Sequence, residues 1–303
     1  MARGTSRFNP PNSIWYEDLP ARAALAEEEV AVMALQEDVI GVDQSKLEIS
    51  RASSILRGGF IFIGMAVLLI LCWFAPHVFT SIFTPPRSVL VITILTIQNL
   101  ALAGYSLFLI WLDCRIPRDL PVRFDRRAGK IHVQDFSLSL NPFARRKLLL
   151  KTFDWADIEA ELTKQAGFNG KVYMVRYALV LVVCRPGTTE VLERITLRGN
   201  DIATQGLESI WSYVRRYMEQ GPSNLPTLHV RERRISLLNS LFFYMPYLAP
   251  GEEGRFYRSR MGAVELILAF LMIWFFWIWL PLGLCYYVAM RCAPEPSWPD
   301  RLD

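Results

Sequence analysis

Uncharged, apolar sequence runs from Gly58 to Pro86 and again from Ser88 to Leu112. About 20 apolar residues cross the hydrocarbon core as a helix, so each run predicts a spanning helix. Thr84-Pro85-Pro86-Arg87 parts the two runs. Adjacent prolines cannot continue a helix, and the pair therefore predicts a transmembrane hairpin. A third apolar run, Leu266 to Met290, is rich in Trp and Phe and is interrupted by Pro281. It predicts one kinked span, because a bilayer tolerates a proline kink and either half alone is too short to cross.

Between the second and third runs the pattern changes to short alternating stretches. Val122–Asp125 and Lys130–Val133 predict two strands joined at Arg127-Ala128-Gly129, followed by strands over Leu148–Phe153, Ile158–Leu162, Tyr173–Cys184 and Glu190–Leu197. Arg185-Pro186-Gly187 marks the turn before the last of these. Leu207, Ile210, Trp211, Val214, Tyr217 and Met218 then recur at helical spacing, and Gly221-Pro222 stops the helix. Several antiparallel strands closed by one amphipathic helix predict an α+β domain of pleckstrin-homology-like architecture. Upstream, Glu17 to Asp38 is acidic and alanine-rich and predicts a helix starting near Asp18-Leu19-Pro20; Val39 to Ile49 has strand character and could pair with the same sheet. Ile235 to Pro250, apolar but too short to span, predicts a helix lying at the membrane interface.

The chain of 303 residues is 52% hydrophobic with a formal charge of +4, too apolar for an average soluble enzyme. The charge matters through its placement. Arg51, Arg57, Arg115, Arg118, Arg255, Arg258 and Arg260 flank the runs on one side and Arg87 stands alone on the other, which predicts a cytoplasmic N-terminus and main domain. Three crossings would leave the tail from Arg291 outside. The polar stretch before the first run is too long for a cleavable signal peptide. The expected organisation is a cytoplasmic N-terminal arm at 1–56, an acidic helix followed by a strand; a hairpin at 57–113; the α+β domain at 114–224; a linker with its interfacial helix at 225–260; and the third span with a short tail at 261–303.

Candidate chemistry is sparse. The five cysteines form no C-x-x-C pair and His77, His132 and His229 lack ligand-spaced partners, so neither a metal nor a cofactor is expected. No nucleophile elbow, zinc-protease or phosphate-loop motif occurs, and no enzymatic activity is expected. Asp154, Asp157, Glu159 and Glu161 could suggest paired carboxylates, but the last three alternate with apolar residues as on any half-buried strand, which favours a solvated face. Thr96, Asn99, Ala103 and Ser106 share one face of the second run, a pattern for close helix packing. A transport path would call for a charge inside a span, and none lies there. Arg123, Arg126, Arg127 and Lys130, with Arg145, Arg146 and Lys147, are the candidate lipid-facing basic residues. Interspersed carboxylates and the lack of a recognition motif argue against nucleic acid.

Leu47-Glu48-Ile49, Arg57-Gly58, Arg123-Phe124-Asp125-Arg126 with Lys130, Phe153-Asp154-Trp155, Trp211 to Met218 with Gly221-Pro222, and Trp298-Pro299 together resemble an uncharacterised proteobacterial inner-membrane family. The resemblance covers the chain from about Val39. Members of that family often lie beside type VI secretion genes, which implies an immunity or accessory role in interbacterial antagonism. The expectation is a non-enzymatic, multi-pass protein of the bacterial inner membrane that contacts membrane lipid and presents a partner-binding domain, the partner being a protein such as a secreted toxin. The alternative is a membrane-anchored lipid or envelope-stress sensor. The pattern leaves the oligomeric state open.

Overall fold

The computed structural model describes residues 5–22, 38–52, 57–83, 89–137, 147–168, 173–226, 228, 235–259, 261–295 and 297–299. Along the chain these form strands β1 (Trp15–Asp18), β2 (Val39–Val42) and β3 (Lys46–Ile49), then helices α1 (Gly59–Phe83) and α2 (Val89–Arg115). Six strands follow, β4 (Val122–Asp125), β5 (Lys130–Ser137), β6 (Lys147–Asp154), β7 (Ile158–Phe168), β8 (Tyr173–Cys184) and β9 (Val191–Asp201), and then α3 (Gln205–Gln220). The chain ends with α4 (Leu237–Leu241), α5 (Glu252–Arg258), α6 (Ala263–Ile273) and α7 (Phe276–Cys292). Two compact units result, and neither is continuous in sequence: Met1–Ile55 with Asp119–Arg233, and Leu56–Arg118 with Arg234–Asp303.

The first unit is α+β with two antiparallel sheets, in strand orders β2-β3-β4-β5-β6 and β1-β7-β8-β9. The first 50 residues supply the edge strand of one sheet and two strands of the other. β3 pairs with β4 from Lys46↔Asp125 to Ile49↔Val122, so the chain leaves for α1 and returns from α2 between neighbouring strands. Tight turns fix the registers. At the β2–β3 turn the Asp43 carboxylate accepts N–H donors from Ser45 and Lys46 at 2.6 and 2.7 Å. Partial burial opposes its ionisation, but those donors hold it below the ordinary aspartate value. The inward rows Leu47, Ile49, Val122, Phe124, Ile131, Ile158, Leu162, Leu179 and Leu181 meet in one core. Helix α3 closes it as its spacing predicts, with Leu207, Ile210, Trp211, Val214 and Tyr217 all buried. Gly221, at φ +85°, ends the helix by donating its N–H to Tyr217 O.

One expectation fails at the N-terminus. Near Asp18 the structure has β1, whose Trp15 and Tyr16 suit a strand, pairing with β7; Leu19 follows in extended chain, donating its N–H to Ala160 O. The remainder of the expected acidic helix, 23–37, lies outside the described residues.

In the second unit α1 and α2 are long and apolar enough to cross a membrane. They pack closely where Gly64 faces Ser106: a Cβ on Gly64 would lie 2.8 Å from the Ser106 carbonyl oxygen. The turn between the helices, including Arg87, lies outside the described residues. The third apolar run is not one kinked helix. It breaks at Trp274-Phe275, and Pro281 sits inside α7. The bonds Trp274 N–H to Leu271 O and Phe275 N–H to Met272 O tighten the end of α6, while the Trp279 indole donates to Met272 O at 3.0 Å. At ~1.5 Å per residue, α6 with 11 residues and α7 with 17 are each shorter than the ~30 Å hydrocarbon core. The far end of α7 also contradicts a single crossing. Cys285 and Ala289 pack on Ile61 of α1, and Arg118, just past α2, donates to Met290 O and Pro294 O. The tail thus begins beside the start of α1 and the end of α2. The 235–250 segment is a five-residue helix and a 3-10 turn, with Phe243 stacked on Tyr286 at 4.0 Å.

Candidate functional site

Three built places stand out, and only a trace of each is visible in sequence. The first is a clasp at the chain exits of the first unit. Arg51, just past β3, donates its backbone N–H to the Asp119 carboxylate at 3.0 Å and its guanidinium to Leu120 O and Gln134 O. The two chain ends that run to and from the helices are thereby held side by side at one end of the five-stranded sheet.

The second is the base of the helix pair. Asp113, one turn from the end of α2, is fully buried and accepts the Ile61 N–H at 3.1 Å. A carboxylate there satisfies one of the orphan donors in the first turn of α1 and faces the positive end of that helix. Arg57 donates to Ile116 O, and its own carbonyl accepts the Tyr244 hydroxyl at 2.8 Å. The apolar run had ended at Leu112, which hid Asp113; α2 carries the helix through it.

The third place lies along β1. Residues from Arg7 to Asn12 cross the outer face of β7-β8-β9, seating Phe8 against Val182 and Cys184. Glu161, expected on a solvated face, is buried beneath this arm, bonded to Arg194 at 2.9 Å and Asn12 at 3.0 Å. Glu159 pairs with Arg7 at 2.9 Å; burial pushes its carboxyl up from the ordinary glutamate value, against the pull of Arg7. The solvated-face reading fails at Glu161, whose neutralising groups come from distant parts of the chain, whereas Asp154 is exposed and Asp157 half-buried. Beside the arm, β1 and the outer half of the β7–β8 hairpin line a cleft of about 740 Å³ that includes Trp15, Tyr16, Lys164, Met174 and Arg176. The Lys164 ammonium lies 5.4 Å from the Tyr16 ring centre and 5.8 Å from that of Tyr177, and the two rings meet edge to face at 5.1 Å. Aromatic faces, two cations and a thioether suit a peptide or protein segment carrying apolar and acidic groups. Among the described residues no cluster of three or more His, Cys, Asp or Glu is placed to hold a metal ion.

The sequence-derived candidates scatter. Of the α2 face, Ser106 is buried, Asn99 and Ala103 are half-buried and Thr96 is exposed. Thr96, Asn99 and Ser106 return their side-chain hydrogen bonds to carbonyls four residues earlier in their own helix. Arg123 is engaged by Glu48 at 2.6 Å. Arg126 and Arg127 are exposed at the β4–β5 turn with Lys130 half-buried beside them, whereas Lys147 pairs with Ser137 at the opposite end of β5. Arg145 and Arg146 lie outside the described residues. Among the described residues, Lys147 therefore stands at the opposite end of β5 from Arg126, Arg127 and Lys130.

His132 carries a consequence for stability. It is buried 3.0 Å from Thr152 Oγ1, and burial pulls its pKa below the ordinary value, with Asp125 opposing and Arg123, Lys130 and Lys46 adding. The folded state thus resists a proton that the unfolded chain takes near pH ~6.5. Stability should be full above that pH and fall as the pH drops through the depressed folded pKa. His132→Gln should flatten this slope in denaturation midpoints measured from pH 7.5 to 5.

The α+β unit is discontinuous in sequence, interrupted between β3 and β4 by two helices long and apolar enough to cross a membrane. The chain belongs to a family of unknown function (DUF6708), whose model matches residues 99–303. No curated protein matches the chain, and no solved structure does.

Proposed function

We propose that this is a non-enzymatic protein of the bacterial inner membrane, with α1 and α2 crossing the bilayer as a hairpin and the strand-rich unit on the cytoplasmic side, where its cleft binds a protein partner. The carrying observation is the apolar surface of the helix pair: Trp73 is 76% exposed, and Leu69, Ile70, Phe79, Ile97 and Leu100 are exposed with it. A water-soluble protein does not leave so continuous an apolar surface bare. Two antiparallel sheets closed by α3 support the pleckstrin-homology-like architecture; fold alone does not supply the function. The partner class we propose is a secreted toxin, in an immunity or accessory role at type VI secretion, which rests on the family resemblance and on a cleft without catalytic groups.

Cysteine labelling of intact cells tests the arrangement. Arg87→Cys should react with an impermeant reagent and Ser297→Cys should not, since α7 ends beside the start of α1. Labelling at 297 would overturn the shared side, and protection at both would overturn the crossing. For the partner, a deletion strain should lose viability against its toxin-armed parent only when the parent's secretion apparatus is intact. Complementation should fail with Tyr16→Ala/Lys164→Glu at normal protein levels. Indifference of the deletion strain to the parent would overturn the immunity reading.

A further inference from the structure

β7 is longer than the strand that covers its edge. β1 runs antiparallel beside it from Asp18↔Glu161 to Trp15↔Thr163, and the last backbone bond between them is Lys164 N–H to Ile14 O at 2.8 Å. There the incoming chain turns off. The Asn12 side-chain oxygen accepts the Ile14 N–H at 3.2 Å, its carbonyl accepts the Trp15 N–H at 3.1 Å, and its amide reaches Glu161 on the outer face of the sheet. β7 continues through Gln165–Phe168, paired with β8 from Gln165↔Arg176 to Phe168↔Tyr173. Among the described residues nothing pairs with its other side there, and Gln165, Ala166 and Gly167 are exposed. At ~3.3 Å per residue the bare edge is about 13 Å long.

The pairing fixes which groups face that edge. In an antiparallel strand both backbone groups of a residue point to one side, and the side alternates along the strand. Ala160 O and Lys164 N–H bond toward β1, and β7 pairs with β8 without a bulge, so the next residue turned that way is Ala166. Its N–H and C=O are open to a further strand. Side chains alternate too. Lys164 continues the inward row of Leu162 and lies beside the Tyr16 and Tyr177 rings. On the outward row Gly167 is the register partner of Met174, and Gln165 that of Arg176. A strand glycine admits close approach of another backbone. A Cβ on Gly167 would meet nothing within 4 Å, and Met174, 48% exposed, is reachable across it. Among the described residues neither Lys164 nor Arg176 is in an ion pair, and the chain from Lys164 to Tyr177 contains no Asp or Glu.

We propose that this edge receives an extended segment of a partner protein as an added strand. The strand bonds Ala166 through its backbone, sets acidic side chains against Lys164 and Arg176, and lays an apolar one over Gly167 onto Met174. Backbone bonds supply affinity in this mode, and the charges and side-chain contacts supply choice of partner. The proposal rests on the reading of the cleft as a partner site and deepens it. A second copy of this chain fits worse, because twofold pairing of two such edges brings their cations together with no carboxylate among them.

The test selects random dodecapeptides displayed on phage against the full chain in detergent micelles, then measures the recovered peptides by fluorescence polarisation. The expected peptides combine acidic and apolar residues in alternation. Ala166→Pro should weaken their binding by about tenfold, the loss of one bond. Proline there removes only the free N–H and leaves the bonds to β8, and an edge position tolerates it, so the thermal transition should not move. Methylating alternate backbone nitrogens of the peptide gives a second measurement that needs no variant: one phase should abolish binding and the other should spare it. Equal effects of the two phases overturn the added strand; if Tyr16→Ala/Lys164→Glu still abolishes binding, the cleft remains a partner site. Binding indifferent to that double variant and to Ala166→Pro overturns both. Recovery of no peptide overturns the added strand and leaves the cleft to the complementation assay. Dimerisation of the chain that Ala166→Pro abolishes means that a second copy takes the edge, and this too overturns the proposal.

Discussion

Residues Met1–Arg51, joined through a short flexible linker to Asp119–Leu228, should fold as an independent soluble unit, whereas Leu120–Asn224 alone should not. The first half of this expectation follows from the exits of the sheet. The backbone N–H of Arg51 bonds the Asp119 carboxylate at 3.0 Å, so the two ends left by removing the helices already lie side by side and a linker of a few residues closes them without strain. The second half follows from the core. Val39, Leu47 and Ile49 are buried in it, and they stand on β2 and β3, which the shorter segment lacks. Each such side chain contributes about 1.5–3 kcal/mol by burial, and domains of this size are stable by only about 5–15 kcal/mol. Losing β1–β3 also bares the edge of β4 along its length and that of β7 from Ala160 to Lys164. The joined chain should give a dispersed amide spectrum and one cooperative thermal transition. A cooperative transition from Leu120–Asn224 would mean that the first 50 residues decorate the unit and do not complete it.

Local pattern made much of this architecture legible, and it failed where distant groups decide. β8 was readable over its whole length because Tyr173 to Cys184 is rich in β-branched and aromatic residues between turns, and α3 because one apolar stripe holds its period to Gly221. Strands β7 and β9 run longer than their alternation suggested, since hairpin pairing with β8 extends them beyond the core. β1 was hidden in a polar stretch, and its role depends on β7, far along the chain. The burial of Glu161 could not be read from its own strand, because Asn12 and Arg194 neutralise it. Composition marked the third apolar run correctly as apolar, but it carried no sign of the break at Trp274-Phe275, beside which the Trp279 indole bonds Met272 O. Of the cleft, only Trp15-Tyr16 left a trace, an aromatic pair where the flanking sequence is polar; Lys164 and Arg176 read as ordinary strand surface until the β7–β8 pairing places them beside it.

Trp211→Ala should destabilise the strand-rich unit by about 3 to 5 kcal/mol, the usual cost of emptying a large aromatic site in a core. The indole is fully buried, packs on Trp155 at 5.7 Å between ring centres, and donates to Pro20 O at 2.9 Å. That last bond ties α3 to the segment following β1, so the substitution both opens a cavity and frees the chain that closes the second sheet. Trp155 in turn donates to Glu219 at 2.8 Å and meets Phe124 edge to face, so the cavity opens in the middle of a connected aromatic stack with little room to collapse. Trp211→Phe keeps most of the volume and should lose less, the difference reflecting the indole bond and the unfilled remainder. For a unit of this size each kcal/mol lowers the melting temperature by roughly 2–4 °C, which predicts a fall on the order of 10 °C in the joined soluble chain. Trp73→Ala in the full chain, at a side chain exposed on α1, should leave the protease resistance of the strand-rich unit unchanged. An unshifted transition for Trp211→Ala would show that α3 does not close the core through this face.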